Sequence, residues 1–165
     1  YPYRLSEMSV LSLVGSEVEE LEVHSDLLGD LKLRSSDVFL FAQGILGFPE
    51  CRRFALLRGI HDGLYWLQSM EYSALAFLLV DPFTVVDNYA ADVPPSQLAD
   101  LGAASATDIA ILAMVTLPSV SGEMPTVNLR GPLAINFRTR RAKQIVSHEG
   151  DYSVRCPVDL TRLVA

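Results

Sequence analysis

Apolar residues along this chain fall in short runs of strand length, rich in Val, Ile, Leu, Phe and Tyr and separated by turn formers. The pattern predicts strands over Leu21–His24, Leu31–Leu33, Val38–Ala42, Arg53–Leu57, Tyr65–Gln68, Leu75–Val80, Ile109–Leu117, Thr126–Leu129, Leu133–Phe137 and Gln144–Ser147. Breakers stand between them, among them Ser35-Ser36-Asp37, Gly47-Phe48-Pro49, His61-Asp62-Gly63, Asp81-Pro82 and Gly131-Pro132. Phe39 to Ala42 and Tyr65 to Gln68 carry apolar residues on both faces of an extended chain. Such strands suit a closed or sandwiched sheet, because an open one-sided sheet keeps one face polar. One helix is signalled over Ser96–Leu101, with Ser96 as cap, good helix formers and a terminating Gly102. Residues 1–20 form an extension of unassigned role, either a short helix around Met8–Leu13 or a loose arm. The expected architecture is all-β: a small closed or nearly closed β-barrel-like domain spanning residues 1–165, with one short helix.

Composition narrows the function. The chain has 165 residues, of which 50% are hydrophobic and 20% charged. That is enough to bury a core without a metal or disulfide staple. Thirteen Lys and Arg against twenty Asp and Glu leave a net charge of -7. This disfavours direct nucleic-acid binding, which rests on cations set against phosphates, yet leaves a basic protein as a partner. Cys51 and Cys156 form neither a CxxC pair nor a zinc spacing, and read as reduced thiols of a cytoplasmic protein. No apolar stretch approaches the roughly 20 residues that span a bilayer, and residues 1–16 lack a signal-peptide pattern.

The chemistry-bearing residues do not converge. His24, His61 and His148 sit in no metal-ligand pair; His61 and His148 lie in turn-like stretches, and all three read as structural or solvated. No metal site, catalytic constellation or cofactor is expected, and the chain is read as a non-enzyme. Gly44 and Gly47 look like turn glycines, since no Lys-Ser/Thr of a phosphate loop follows them. Glu17, Glu19, Glu20 and Glu22 form a solvated acidic face that could attract a basic partner. Arg138, Arg140, Arg141 and Lys143 form a basic patch, either a solvated turn or a local phosphate or RNA site; no stacking aromatics interleave it.

Several segments are more distinctive than generic β sequence. They are Phe41 to Glu50, Phe77 to Phe83, Thr126 to Asn136, Ala142 to Val146, and then Tyr152 and Arg155. In this order the chain resembles the FliW family of flagellar assembly factors, over about residues 21–160. The resemblance implies a small, non-enzymatic, barrel-like protein of the bacterial cytoplasm. It implies binding of flagellin before export, and of the translational repressor CsrA, whose silencing of flagellin mRNA is thereby relieved by partner switching. Phe48, Pro49, Glu50, Asn128 and Arg130 are the candidate partner-binding residues, with Phe48 and Glu50 the better contact candidates on an exposed-looking corner; the Phe48 ring needs cover, either in the fold or in a complex. Gly44, Gly47, Gly131 and Pro132 are the candidate turn residues, and Asn128 and Asn136 are equally suited to backbone capping. Gly131 stands where the family more often has alanine. From the residues alone a second class stays open: a small flavin-type β-barrel cofactor binder or enzyme, with the Arg138–Lys143 patch holding a phosphate.

Overall fold

A computed structural model describes residues 19–146 and 152–163. The element order is β1 (Glu20–Ser25), β2 (Gly29–Arg34), β3 (Val38–Phe41), β4 (Arg53–Arg58), β5 (Leu64–Ser69), β6 (Ala76–Val80), α1 (Pro82–Val85), α2 (Pro95–Asp100), β7 (Ile109–Thr116), β8 (Thr126–Val127), β9 (Leu133–Asn136), β10 (Arg141–Gln144) and β11 (Cys156–Pro157). The helix considered around Met8–Leu13 and the turn at His148 lie outside the described residues.

Strands β3 to β7 form an antiparallel meander. β7 then pairs with β9, β9 with β10, and β10 runs parallel to β3 through Arg141↔Leu40 and Ala142↔Phe41. The ring is thereby closed over seven strands, as the two-sided apolar pattern predicts. β8 pairs with the end of β7, and β11 pairs with β8. β1 and β2 form a separate two-stranded hairpin.

Burial on both faces explains why β7 is apolar up to Val115 and β9 up to Ile135. Ala110, Leu112, Leu133 and Ile135 join Phe39, Phe41, Phe54, Leu67 and Leu79 in one buried cluster. Their neighbours Ile109, Ile111, Ala113 and Ala134 join a second cluster with Tyr89, Val93, Leu101, Leu129 and Val158. The first cluster fills the barrel. The second lies between the barrel wall and an outer layer made by the segment 81–108 and the C-terminal residues.

The elements depart from expectation in five places. The strand expected at Gln144–Ser147 lies at Arg141–Gln144. Its charged residues suggest a turn, but Arg141 faces out while Ala142 is buried. The helix expected to be capped by Ser96 starts at Pro95, with Pro94 in the cap position. Proline at the first helical position brings a preset φ and loses no needed N–H, so Ser96 lies inside the helix. The unexpected α1 is started by Asp81, whose Oδ1 accepts from the Phe83 N–H at 2.9 Å. The strand expected over Thr126–Leu129 stops at Val127, because Leu129 turns to donate to the Ser153 carbonyl at 3.0 Å. The short β11 carries no pattern of its own; only its pairing with β8 defines it.

Candidate functional site

The corner after β3 is built around two glycines in the left-handed region. Gly44 has φ +66°, and a Cβ there would fall 2.6 Å from the Phe48 carbonyl oxygen, so the position requires glycine. Gly47 has φ +90°. The Phe48 N–H donates to the Ile45 carbonyl at 2.7 Å, folding the loop back on itself, and Ile45 is buried. Phe48, a ring that needs cover in the fold or in a complex, is half-buried, and it meets Phe77 edge-on at 5.7 Å. Leu46 takes the outward position, 68% exposed, with Pro49 and Glu50 also in solvent.

The second distinctive segment is a turn organised by Asn128. Its Oδ1 accepts from the N–H groups of Arg130 (3.1 Å) and Gly131 (2.9 Å). Gly131 and Pro132 are buried, and the Arg130 side chain is exposed. A Cβ on Gly131 would sit 3.0 Å from Gln144 Nε2 and 3.1 Å from Asn128 Nδ2, so an alanine here presses on both amides. Asn136 caps the following turn: Nδ2 donates to the Leu101 carbonyl at 3.0 Å, and Oδ1 accepts from the Arg138 N–H at 3.0 Å.

Gln144, at the end of β10, joins the two segments. Its Oε1 accepts from the Leu46 N–H at 2.9 Å, and its Nε2 donates to the Gly131 carbonyl at 3.1 Å. One side chain thus ties the Gly44–Glu50 corner to the Asn128–Pro132 turn. Leu46, Pro49, Glu50 and Arg130 stand exposed on the two sides of this link, and Val146, 44% exposed, follows two residues beyond it. Neither Leu46 nor Gln144 carries a sequence signal for this role, since the bridge joins residues far apart along the chain.

The basic patch divides. The Arg138 guanidinium donates to the Gly102 carbonyl at 3.2 Å, and Lys143 Nζ lies 3.0 Å from Asp100 Oδ2, so both are tied to the end of α2. Arg140 and Arg141 turn instead toward the start of the hairpin. Arg140 has φ +60°, a conformation that side chains rarely adopt, and its guanidinium lies 5.3 Å over the Phe39 ring. Burial pushes its ordinary value down; Asp37 opposes this and Arg34 adds to it.

Two residues of the acidic run are balanced by register. Glu20 and Glu22 stand opposite Arg34 and Lys32 across the hairpin. His24 Nδ1 lies 2.7 Å from Asp30 Oδ1, and that hydrogen bond raises the imidazole above its ordinary 6.5, with Asp26 also contributing. His61 is exposed. Cys51 and Cys156 are free thiols, and burial pushes Cys51 up, away from the reactive thiolate. Among the described residues no group of three His, Cys, Asp or Glu could hold a metal ion, and no helix is long and apolar enough to cross a membrane.

These features define a small closed β-barrel whose distinctive residues converge on an exterior surface. The model of the family described as FliW protein matches residues 22–158. The chain is 34% identical over 133 residues to the flagellar assembly factor FliW of Pseudothermotoga lettingae, covering 81% of this chain and 85% of that protein. It is 32% identical over 139 residues to that of Natranaerobius thermophilus, covering 84% and 92%. A crystal structure of the flagellar assembly factor FliW superposes with a TM-score of 0.76 at 28% identity, covering 83% of this chain and 96% of that one. The chain belongs to the FliW family of flagellar assembly factors.

Proposed function

We propose that this chain acts in the cytoplasm as a flagellar assembly factor that binds flagellin and a CsrA-type translational repressor as alternative partners. Engagement of the repressor relieves the silencing of flagellin synthesis, and engagement of flagellin reverses that relief. The observation that carries this reading is the surface joined by Gln144, where two family-typical segments present Leu46, Pro49, Glu50 and Arg130 to solvent. Exposed apolar groups rimmed by polar ones suit a protein partner better than a small substrate. No catalytic step and no cofactor enter the mechanism.

If the two partners are alternatives, each must lower the affinity of the other by the same factor. The net charge of -7 favours encounter with a basic RNA-binding repressor. Its binding should weaken with added salt, because exposed charges are screened over about 10 Å or less. Flagellin, offering an apolar segment, should lose less. Titration of each partner at low and high salt, with and without the other, tests this. Equal salt slopes with no mutual effect overturn the partner switch. A yellow protein carrying stoichiometric flavin overturns the regulatory reading altogether.

A further inference from the structure

A cleft of about 420 Å³ opens where the start of the β1–β2 hairpin meets the barrel beside the β3–β10 pair. Leu21, Val38 and Leu40 give it an apolar wall, and Arg53, Arg140 and Arg141 a basic one. We propose that this cleft binds an acidic peptide segment, one in which carboxylates alternate with apolar side chains. The proposal stands independently of the flagellin and repressor reading.

Three observations converge on that ligand. First, three arginines line the cleft on a chain that is acidic as a whole. Among the described residues, neither Arg140 nor Arg141 has a carboxylate within 4.0 Å. Arg53 is only loosely matched by Glu71, at 4.0 Å. Guanidinium forks fit carboxylates in a bidentate way and are less strongly hydrated than ammonium groups, so they give up water readily to such a ligand. Second, Arg140 is held in place beforehand. Its N–H donates to the Asn136 carbonyl at 2.9 Å, its carbonyl accepts from the Leu40 N–H at 2.8 Å, and its guanidinium rests on Phe39. A preset group loses little freedom on binding. Third, the apolar wall selects among anions. Leu40 is 43% exposed there, a surface that a free phosphate leaves wet and an alternating peptide covers. A single-stranded nucleic acid needs a ring on which to stack its bases, and no exposed aromatic lines the cleft among the described residues.

The test uses the full chain, isotope-labelled, titrated with a hexapeptide of alternating glutamate and leucine. Parallel titrations use the lysine–leucine counterpart, inorganic phosphate and oligouridylate. The acidic peptide should shift the amides of Leu40, Thr139, Arg140 and Arg141, and the basic peptide should not. Arg141→Gln and Arg53→Gln, both at exposed positions, should each weaken the acidic peptide about tenfold with an unchanged melting temperature, the loss expected for one charge-assisted pair. Arg140→Lys keeps the charge without the fork and should weaken it as well. Cleft amides unmoved by the acidic peptide overturn the proposal, as do arginine variants that bind like the parent. Stronger shifts from oligouridylate assign the cleft to nucleic acid instead, and equal shifts from phosphate alone reduce it to an anion site; either result overturns the peptide.

Discussion

The β7–β9 wall and the β1–β2 hairpin are both antiparallel pairs, yet they are held in opposite ways. In the wall all four residues of β9 and the first five of β7 are buried, half facing the barrel and half the outer layer. In the hairpin only Ser25 and Leu33 are buried, and its outward face pairs Glu20 with Arg34 and Glu22 with Lys32. A backbone bond from the Asp26 N–H to the Ser73 carbonyl, 2.9 Å, ties its turn to the loop between β5 and β6. A two-stranded hairpin is marginal in water by itself. The wall should therefore open only with the whole molecule, and the hairpin by local opening at lower cost. Burial on two faces, rather than strand pairing as such, separates the two.

The largest test of that contrast is Leu112→Ala, which empties a fully buried position of the wall. It should cost about 3 kcal/mol of global stability, read by denaturant unfolding. A loss confined to local exchange would break the contrast. Phe48→Ala comes next, at about 2 kcal/mol, because only part of the ring is covered. Partner affinity falling while stability holds would return Phe48 to the surface. Gln144→Ala should cost about 1 kcal/mol by removing the bonds to the exposed Leu46 N–H and the part-buried Gly131 carbonyl, with amide exchange at Leu46 quickened. The smallest effect belongs to His24. Its value is raised in the folded state, so its pairing with Asp30 contributes fully below the ordinary value of 6.5 and is lost as pH rises through the raised value. Exchange of the hairpin amides, corrected for intrinsic rate, should quicken between pH 5.5 and pH 8 while that of the wall stays unchanged. His24→Gln should abolish the difference.

The barrel was legible because strand-length apolar runs bounded by breakers are local signals: Phe39 to Phe41 and Tyr65 to Leu67 show two apolar faces within a few residues each. β10 was misplaced because Arg141 and Lys143 read as turn residues, and only their pairing with Asn136 and Ala134 shows them on a strand. The same division runs through the site. Gly44 and Gly47 announce a tight corner by residue type alone. What covers part of the Phe48 ring was not legible, because Phe77 comes from a distant strand. The Gln144 bridge has no local signature, since its meaning lies in two backbone groups that only closure of the barrel brings beside it. Likewise the basic patch looked uniform in sequence, and the position of α2 alone separates Arg138 and Lys143 from Arg140 and Arg141.

The parallel pairing of β3 with β10 has a consequence for the birth of the molecule. Leu40 and Phe41 find their partners Arg141 and Ala142 only when most of the chain exists. Contacts so remote in sequence raise the contact order, and topologies of that kind fold in milliseconds to seconds. Ribosomes extend chains at about 5–20 residues per second, so β3 waits for seconds with one edge bare during synthesis. Arg141 at one end of β10 and Gln144 at the other, about 10 Å apart at 3.3 Å per residue, reach their places in the same closing event. A nascent or truncated chain therefore has neither the joined corner nor the basic cleft, and both surfaces arise only with the finished fold.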